Sequence, residues 1–358
     1  MNKTMLALML SALAGVAAAQ SNVTVYGIVD MAVVRESGGV GAAASSTKLT
    51  SGVESGSRLG FKGTEDLGDG LSAIFLLENG FQADTGAMGQ GGLLFGRQAY
   101  VGLQSKTAGT LTLGRQYTPQ YLAVATVDPF GSGTAGDTKN LIAATGNGAS
   151  RMDNSVKYAS PVVNGFSGEL VYGAGEVADS STAQRQFGGA LAYTTGSLMV
   201  RLAHHHRNND TAALKNTSSA ENTVLTALYD FGVAKAHFAY GVDKGLNSAL
   251  PRNLNNPFGY AVAPTPSTNS NYLLLGVTVP QGLGTWIGSY IRKNDKTGFN
   301  QDAEQLAGGY RYNLSKRTDL YGVYAYIRNK NGAGYTVGSA IEGGTGNRGL
   351  NLGIRHVF

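Results

Sequence analysis

Apolar and polar residues alternate along most of this chain. Val23, Val25, Val29 and Met31 share one face, with Thr24 and Asp30 on the other. Leu59 and Phe61 alternate with Arg58 and Lys62, Ala73, Phe75 and Leu77 with Ser72 and Glu78, and Leu198, Val200 and Leu202 with Arg201 and Ala203. At the end, Leu350, Leu352, Ile354 and Phe358 share a parity that Asn351 and Arg355 oppose. Successive side chains of a strand point to opposite faces, so this period predicts β-strands with one apolar face.

A soluble β-sandwich alternates in the same way, but three features turn the apolar face towards lipid. Aromatic residues gather near strand ends, as in Tyr310-Arg311-Tyr312 and between Tyr321 and Tyr326, the distribution of an interfacial girdle. The opposite face carries ionic or small residues (Arg58, Lys62, Glu169, Lys235, Arg355, many Gly) that make a poor dry core. Tight turns such as Asp66–Gly70, Thr195–Ser197 and Leu314–Arg317 interleave with long polar loops, the signature of an outer-membrane barrel. At ~20 residues per strand and link, the chain accommodates about sixteen strands, enough to enclose water. The predicted fold is all-β: a transmembrane antiparallel β-barrel with a hydrated interior.

Composition places the loops. Val34–Gly56 is rich in Gly, Ala and Ser, Gly80–Gly92 in Gly, and Gly175–Gln184, Asn208–Ala220 and the Pro-bearing Asp243–Asn271 are polar, so all five read as loops. Tyr117–Ser155 is different. Besides Thr118-Pro119, Asp128-Pro129 and Asp137 it holds Leu122, Val124, Val127, Leu141 and Ile142. A loop this long and this apolar must pack against something. Folding inward against the barrel wall buries those side chains and constricts the channel.

With no Cys, disulfides, thiolate metal sites and Cys nucleophiles are excluded. The 28 Lys and Arg against 23 Asp and Glu are scattered, without the basic block expected of a nucleic-acid partner. The N-terminus reads as targeting: Lys3, an apolar run from Met5 to Val16, then Ala17-Ala18-Ala19 before Gln20. A signal peptide over residues 1–19, cleaved after Ala19, leaves 20–358 as the barrel. Elsewhere no run reaches the ~18 apolar residues of a membrane helix.

Several segments, in order, carry a resemblance. They are Val23–Asp30, Ser57-Arg58-Leu59-Gly60-Phe61-Lys62-Gly63-Thr64-Glu65-Asp66-Leu67-Gly68, Phe95-Gly96-Arg97-Gln98-Ala99-Tyr100-Val101-Gly102-Leu103, Leu113-Gly114-Arg115-Gln116, Asn154–Tyr158, Leu314–Tyr321 and Gly353–Phe358. In these the chain resembles the general porins of Gram-negative outer membranes, of the trimeric sixteen-stranded betaproteobacterial and neisserial type. The resemblance implies a homotrimer in the outer membrane, in contact with lipid bilayer and lipopolysaccharide, that passes ions and small hydrophilic solutes passively and needs no cofactor or metal. It also implies a constriction formed by an inward-folded third loop. Its basic wall is Arg58, Lys62, Arg97, Arg115 and Arg151, facing the loop carboxylates Asp128 and Asp137. Phe358, closing an alternating strand, looks like the signal read by the outer-membrane assembly machinery.

Parity bears on these residues separately. Arg58 and Lys62 oppose Leu59 and Phe61, and Arg151 and Lys157 oppose Val156 and Tyr158, so all four point to the lumen. Arg97 counts with Ala99, Val101 and Leu103, and Arg115 with Leu111 and Leu113, on the lipid face, where a charge at the midplane costs about 2–4 kcal/mol. A bulge, or a position above the membrane band, reconciles them with the lumen. The basic excess leans towards anions, moderated if Glu78, Asp30, Asp153 and Glu169 also line the channel. His204, His205 and His206 alternate along one strand and cannot converge on a metal. Two other readings are a barrel enzyme such as a protease or phospholipase, and a surface adhesin or receptor.

Overall fold

The computed structural model describes residues 22–41, 44–143, 149–215, 219–250, 257–262, 264–338 and 344–358. The expected leader, residues 1–19, lies outside the described residues. One antiparallel sheet closes on itself: the first strand, β1 (Asn22–Ser37), pairs with the last, β17 (Arg348–Val357), from Ile28 opposite Val357 to Ser37 opposite Arg348. Between them run β2 (Ser45–Ser51), β3 (Arg58–Gly68), β4 (Leu71–Gly80), β5 (Gln98–Ser105), β6 (Gly109–Tyr117), β7 (Arg151–Ala159), β8 (Phe166–Gly173) and β9 (Gln186–Thr195). The wall continues through β10 (Leu198–Asn208), β11 (Ser219–Asp230), β12 (Lys235–Lys244), β13 (Asn269–Gln281), β14 (Gly284–Asp295), β15 (Ala303–Asn313) and β16 (Thr318–Asn329).

These segments make sixteen staves, because β2 and β3 are halves of one. The upper half of β1 pairs with β2, Met31 opposite Ser51, and its lower half with β3, Ile28 opposite Arg58. Residues 52–57 leave the ladder between them. The expected loop over Val34–Gly56 is therefore too long. Its flanks, to Ser37 and from Ser45, are strand. Ser45-Ser46-Thr47-Lys48 has no apolar face of its own and extends because β1 offers it a free edge.

Outward side chains are apolar as alternation predicts: Val25, Val33, Val101, Leu191, Leu306 and Leu352 are all exposed on the outside of the wall. A closed barrel leaves no backbone edge unpaired, the condition for crossing lipid. The interior departs from the expected all-polar lining. On β10–β16 the inward positions include Val224, Leu274, Ile287, Ile291, Val323 and Ile327, all buried. They pack against Val124, Val127, Phe130, Leu141 and Ile142 of the long segment after β6. Burying each such Val, Leu, Ile or Phe contributes about 1.5–3 kcal/mol. This core fixes the segment to one side of the barrel and leaves the water path to the other.

Candidate functional site: the constriction

The inward segment is built from two short helices and a tight tip. The first, α1 (Pro119–Val127), starts where Thr118 caps it, its hydroxyl accepting the Tyr121 N–H at 3.1 Å with Pro119 at the first helical position. It ends against the wall, where His237 Nδ1 lies 3.2 Å from the Val127 carbonyl.

Past α1, Asp128 organises the loop itself. Its carboxylate accepts the N–H groups of Phe130, Ser132 and Thr138 and the Thr138 hydroxyl, all within 3.1 Å. Burial, together with the nearby Asp137 carboxylate, pushes Asp128 up to about 7. Asp137 caps a single 3₁₀ turn (Thr138–Asn140), accepting the Lys139 N–H at 2.8 Å and pairing with the Lys139 ammonium at 3.1 Å. Burial works against the charge on Lys139, but Asp137 holds it above its ordinary range.

Of the two carboxylates expected to face the basic wall, Asp128 turns into its own loop instead, while Asp137 lines the same cavity as the arginines. Asp128 is buried among loop N–H groups that would otherwise be unsatisfied, and the Asp137 carboxylate is engaged by its own neighbour. A pH effect follows from Asp128. Its pKa in place exceeds the ordinary 3.8, so the fastening it provides is strongest below about pH 4 and weakens as pH rises towards 7. Single-channel current noise should accordingly be greater at about pH 8 than at about pH 5, and Asp128→Asn should remove the difference. Equal pH dependence in the variant would refute the assignment.

The tip is tied to the wall at several points. Thr134 N–H donates to the Val53 carbonyl, Ala135 N–H to Asn351 Oδ1, and Asn140 to Gln305 at 2.9 Å. The excursion at 52–57 makes the first tie possible, and Asp30 holds that excursion. Fully buried, its carboxylate accepts the N–H groups of Val53, Glu54 and Ser55 at 2.9–3.2 Å and the Tyr321 hydroxyl at 2.8 Å. Gly133 then lies so close that a Cβ there would fall 2.1 Å from the Glu54 carbonyl oxygen. Glu54 also accepts from Arg311 at 3.1 Å and pairs with Arg355 at 3.5 Å. Only the position of Asp30 on the polar parity of β1 hinted at this role in the sequence.

Opposite the tip is a cavity of about 440 Å³ whose lining includes Arg58, Arg97, Arg115, Lys139 and Arg151, with Glu36 and Asp137 as its acids. Arg58 reaches it from the first residue of β3, its Nε donating to the Gly56 carbonyl at 2.9 Å. Arg97 precedes β5, outside the ladder, which removes the parity conflict. Its Nε donates to Glu78 at 2.7 Å and its terminal nitrogen to the Tyr117 hydroxyl at 2.8 Å. Arg115 sits where the β6–β7 register shifts between Gly114 and Gln116, so a bulge reconciles it with the interior. It donates to the Gly96 carbonyl at 2.8 Å and pairs with Asp153.

Arg151 donates to the same Tyr117 hydroxyl at 2.7 Å and lies 4.5 Å over its ring, which stacks on Tyr121 at 4.9 Å. Lys62 stands apart, in a second recess nearer the short-turn end with Thr24 and Tyr100, 5.5 Å from the Tyr26 ring. The carboxylates paired with the basic wall are thus Glu78, bound also by the Tyr26 hydroxyl at 2.8 Å, and Asp153. Among the described residues Arg58 and Arg151 have no carboxylate partner. Phe358 lies at the other end of the wall, exchanging backbone hydrogen bonds of 3.1 Å with Gly27.

The geometry is that of a hydrated passage narrowed between a fastened loop and a basic wall. Comparison with known proteins agrees. The family model of the Gram-negative porins matches residues 5–332. An outer membrane porin protein of Bordetella pertussis and outer membrane porin protein 32 of Delftia acidovorans are each 32% identical to this chain over the full length of both. An anion-selective porin from Comamonas acidovorans has a similar structure, with a TM-score of 0.77 and 28% identity over 95% of this chain and all of that one. The wall closure, the loop folded into it and these full-length relatives lead to one conclusion: the chain belongs to the Gram-negative porins, multi-pass outer-membrane channels through which small solutes diffuse passively.

Proposed function

We propose that this channel is an anion-selective general diffusion porin, without enzymatic activity, that works as a homotrimer. The carrying observation is the charge around the constriction: five basic side chains line the cavity against two acids, and among the described residues Arg58 and Arg151 have no carboxylate partner. Charges facing a narrow passage set ion preference through the local field. The likeness to the Comamonas acidovorans porin, itself described as anion-selective, supports the reading. Arg58, Arg97, Arg115 and Arg151 form the basic wall in this proposal, with Lys62 as a further cation on the exit path. Under a potassium chloride gradient across a planar bilayer, the zero-current potential should have the sign of chloride preference. The opposite sign would overturn the proposal. Openings should close in three equal steps if the unit is a trimer.

In the same reading, residues 1–19 are a leader removed on export, the mature barrel sits among phospholipid and lipopolysaccharide, and Phe358 is read by the outer-membrane assembly machinery. The packing of Phe358 supports a role for its ring: a Cβ at Gly27 would fall 2.3 Å from Phe358 Cζ, so only glycine leaves the ring its seat on β1. Deleting Phe358 should sharply lower the yield of assembled trimer, whereas Gly27→Val should lower trimer stability. Unit conductance of the channels that do assemble should be unchanged in both. An undiminished yield without Phe358 would remove the signal role.

A further inference from the structure

The turns at the short-loop end of the barrel differ around its circumference. Between β7 and β8 the apex is Val162 and Val163, between β11 and β12 it is Phe231 and Val233, between β13 and β14 it includes Leu283, and between β15 and β16 it begins with Leu314. These side chains stand free of the protein; Val233 is 77% exposed and Val162 69%. On the opposite arc the apices are polar or small, Asp69-Gly70 between β3 and β4, flanked by the exposed Leu67 and Leu71, and Lys106-Thr107-Ala108 between β5 and β6. The Gly196-Ser197 turn between β9 and β10, with no apolar side chain, is the one interruption of the apolar arc.

Turns bathed in water favour Gly, Asn, Asp, Ser and Pro, and leaving a Val or Phe in water forgoes about 1.5–3 kcal/mol of burial. The apolar arc also carries aromatic pairs at the same end: Phe166 on Tyr193, Tyr229 on Phe231 and Trp286 on Tyr310, with ring centroids 4.5–4.7 Å apart. Such rings mark the lipid–water boundary. Phe231 belongs both to a pair and to an apex, so the apolar apices continue the lipid-facing band. Next to Leu314 the exposed Lys316 and Arg317 are placed to meet phosphate groups.

We propose that from β7 to β16 the short-turn rim is immersed in the phospholipid leaflet, with Val162, Phe231, Val233, Leu283 and Leu314 at the headgroup–acyl boundary, while the rim from β3 to β6 stands in water. The barrel is then anchored in depth along one arc only.

The chain has no Cys, so a single introduced thiol reports one position. Val162→Cys, Val233→Cys and Thr107→Cys, each carrying a small fluorophore, are compared in the full-length protein reconstituted in phosphatidylethanolamine–phosphatidylglycerol vesicles. Lipid spin-labelled near the headgroup is one quencher, and iodide on both sides of the membrane the other. The proposal expects several-fold stronger lipid quenching at 162 and 233 than at 107, and the reverse order for iodide. Equal lipid quenching at all three positions would overturn it. So would protection of 162 and 233 from both quenchers, which would mean that protein rather than lipid covers the rim.

Discussion

Replacing Asp30 with alanine is expected to loosen the constriction while the barrel stays closed. The substitution strands the N–H groups of Val53, Glu54 and Ser55 and the Tyr321 hydroxyl in a buried setting. Each stranded group costs about 1–3 kcal/mol unless it finds water. The least costly escape is for residues 52–57 to move towards the lumen water, which removes the Val53 carbonyl from Thr134 and frees the loop tip. Single channels of the variant should show a larger mean conductance, greater current noise and weaker ion selectivity, and the barrel should unfold at a lower temperature. Gly133→Leu approaches the same state from the other side, since even a Cβ there meets the Glu54 carbonyl, and it leaves Asp30 intact. Asp69→Ala, on an exposed turn, should do neither. Wild-type noise and conductance in Asp30→Ala would show that the excursion does not hold the loop.

The second large effect concerns the wall. A unit charge about 4 Å from an ion's path is worth about 1 kcal/mol even in water-like surroundings, so neutralising Arg58 or Arg151 should lower anion permeability about fivefold and raise cation permeability by about the same factor. Arg97→Gln deletes one positive charge as well and leaves Glu78 without its guanidinium partner, so its shift should have the same sign. Asp69→Ala, on an exposed turn, should leave the anion-to-cation permeability ratio unchanged. An unchanged ratio in both Arg58→Gln and Arg151→Gln would contradict the role of the wall.

Alternation along the strands was enough to expose strands with one apolar face, because a period of two is a local property, while aromatic ends, a polar opposite face and short turns gave the lipid side and chain length gave the count of staves. The inward loop was legible for a related reason: Val124, Val127, Leu141 and Ile142 are too apolar for an exposed segment, and all four are buried. The seat of that loop was missed. It is written in runs such as Leu273-Leu274-Leu275 and Val323-Tyr324-Ala325-Tyr326-Ile327, apolar on both faces where a lipid-facing strand needs only one.

Arg97 and Arg115 could not be assigned by counting, since one lies outside its strand and the other at a register shift. Asp128 was misjudged because a carboxylate facing a lumen and one capping loop N–H groups look alike in sequence. Which it becomes depends on donors brought together only by the folded loop. The role of Asp30 was hinted at only by its parity for the same reason, as Tyr321 is supplied from the far end of the chain.

The central claim is that solutes pass between the loop tip and the arginine wall, and that the β10–β16 side is closed by packing. Single cysteines at Ser132, which lines the cavity, and at Val224, buried beneath the loop, test it most directly. A negatively charged thiosulfonate added to open channels should reduce the current through Ser132→Cys in discrete steps and leave Val224→Cys unchanged. Rapid modification and block at position 224, with none at 132, would place the water path on the other side of the loop and contradict the account.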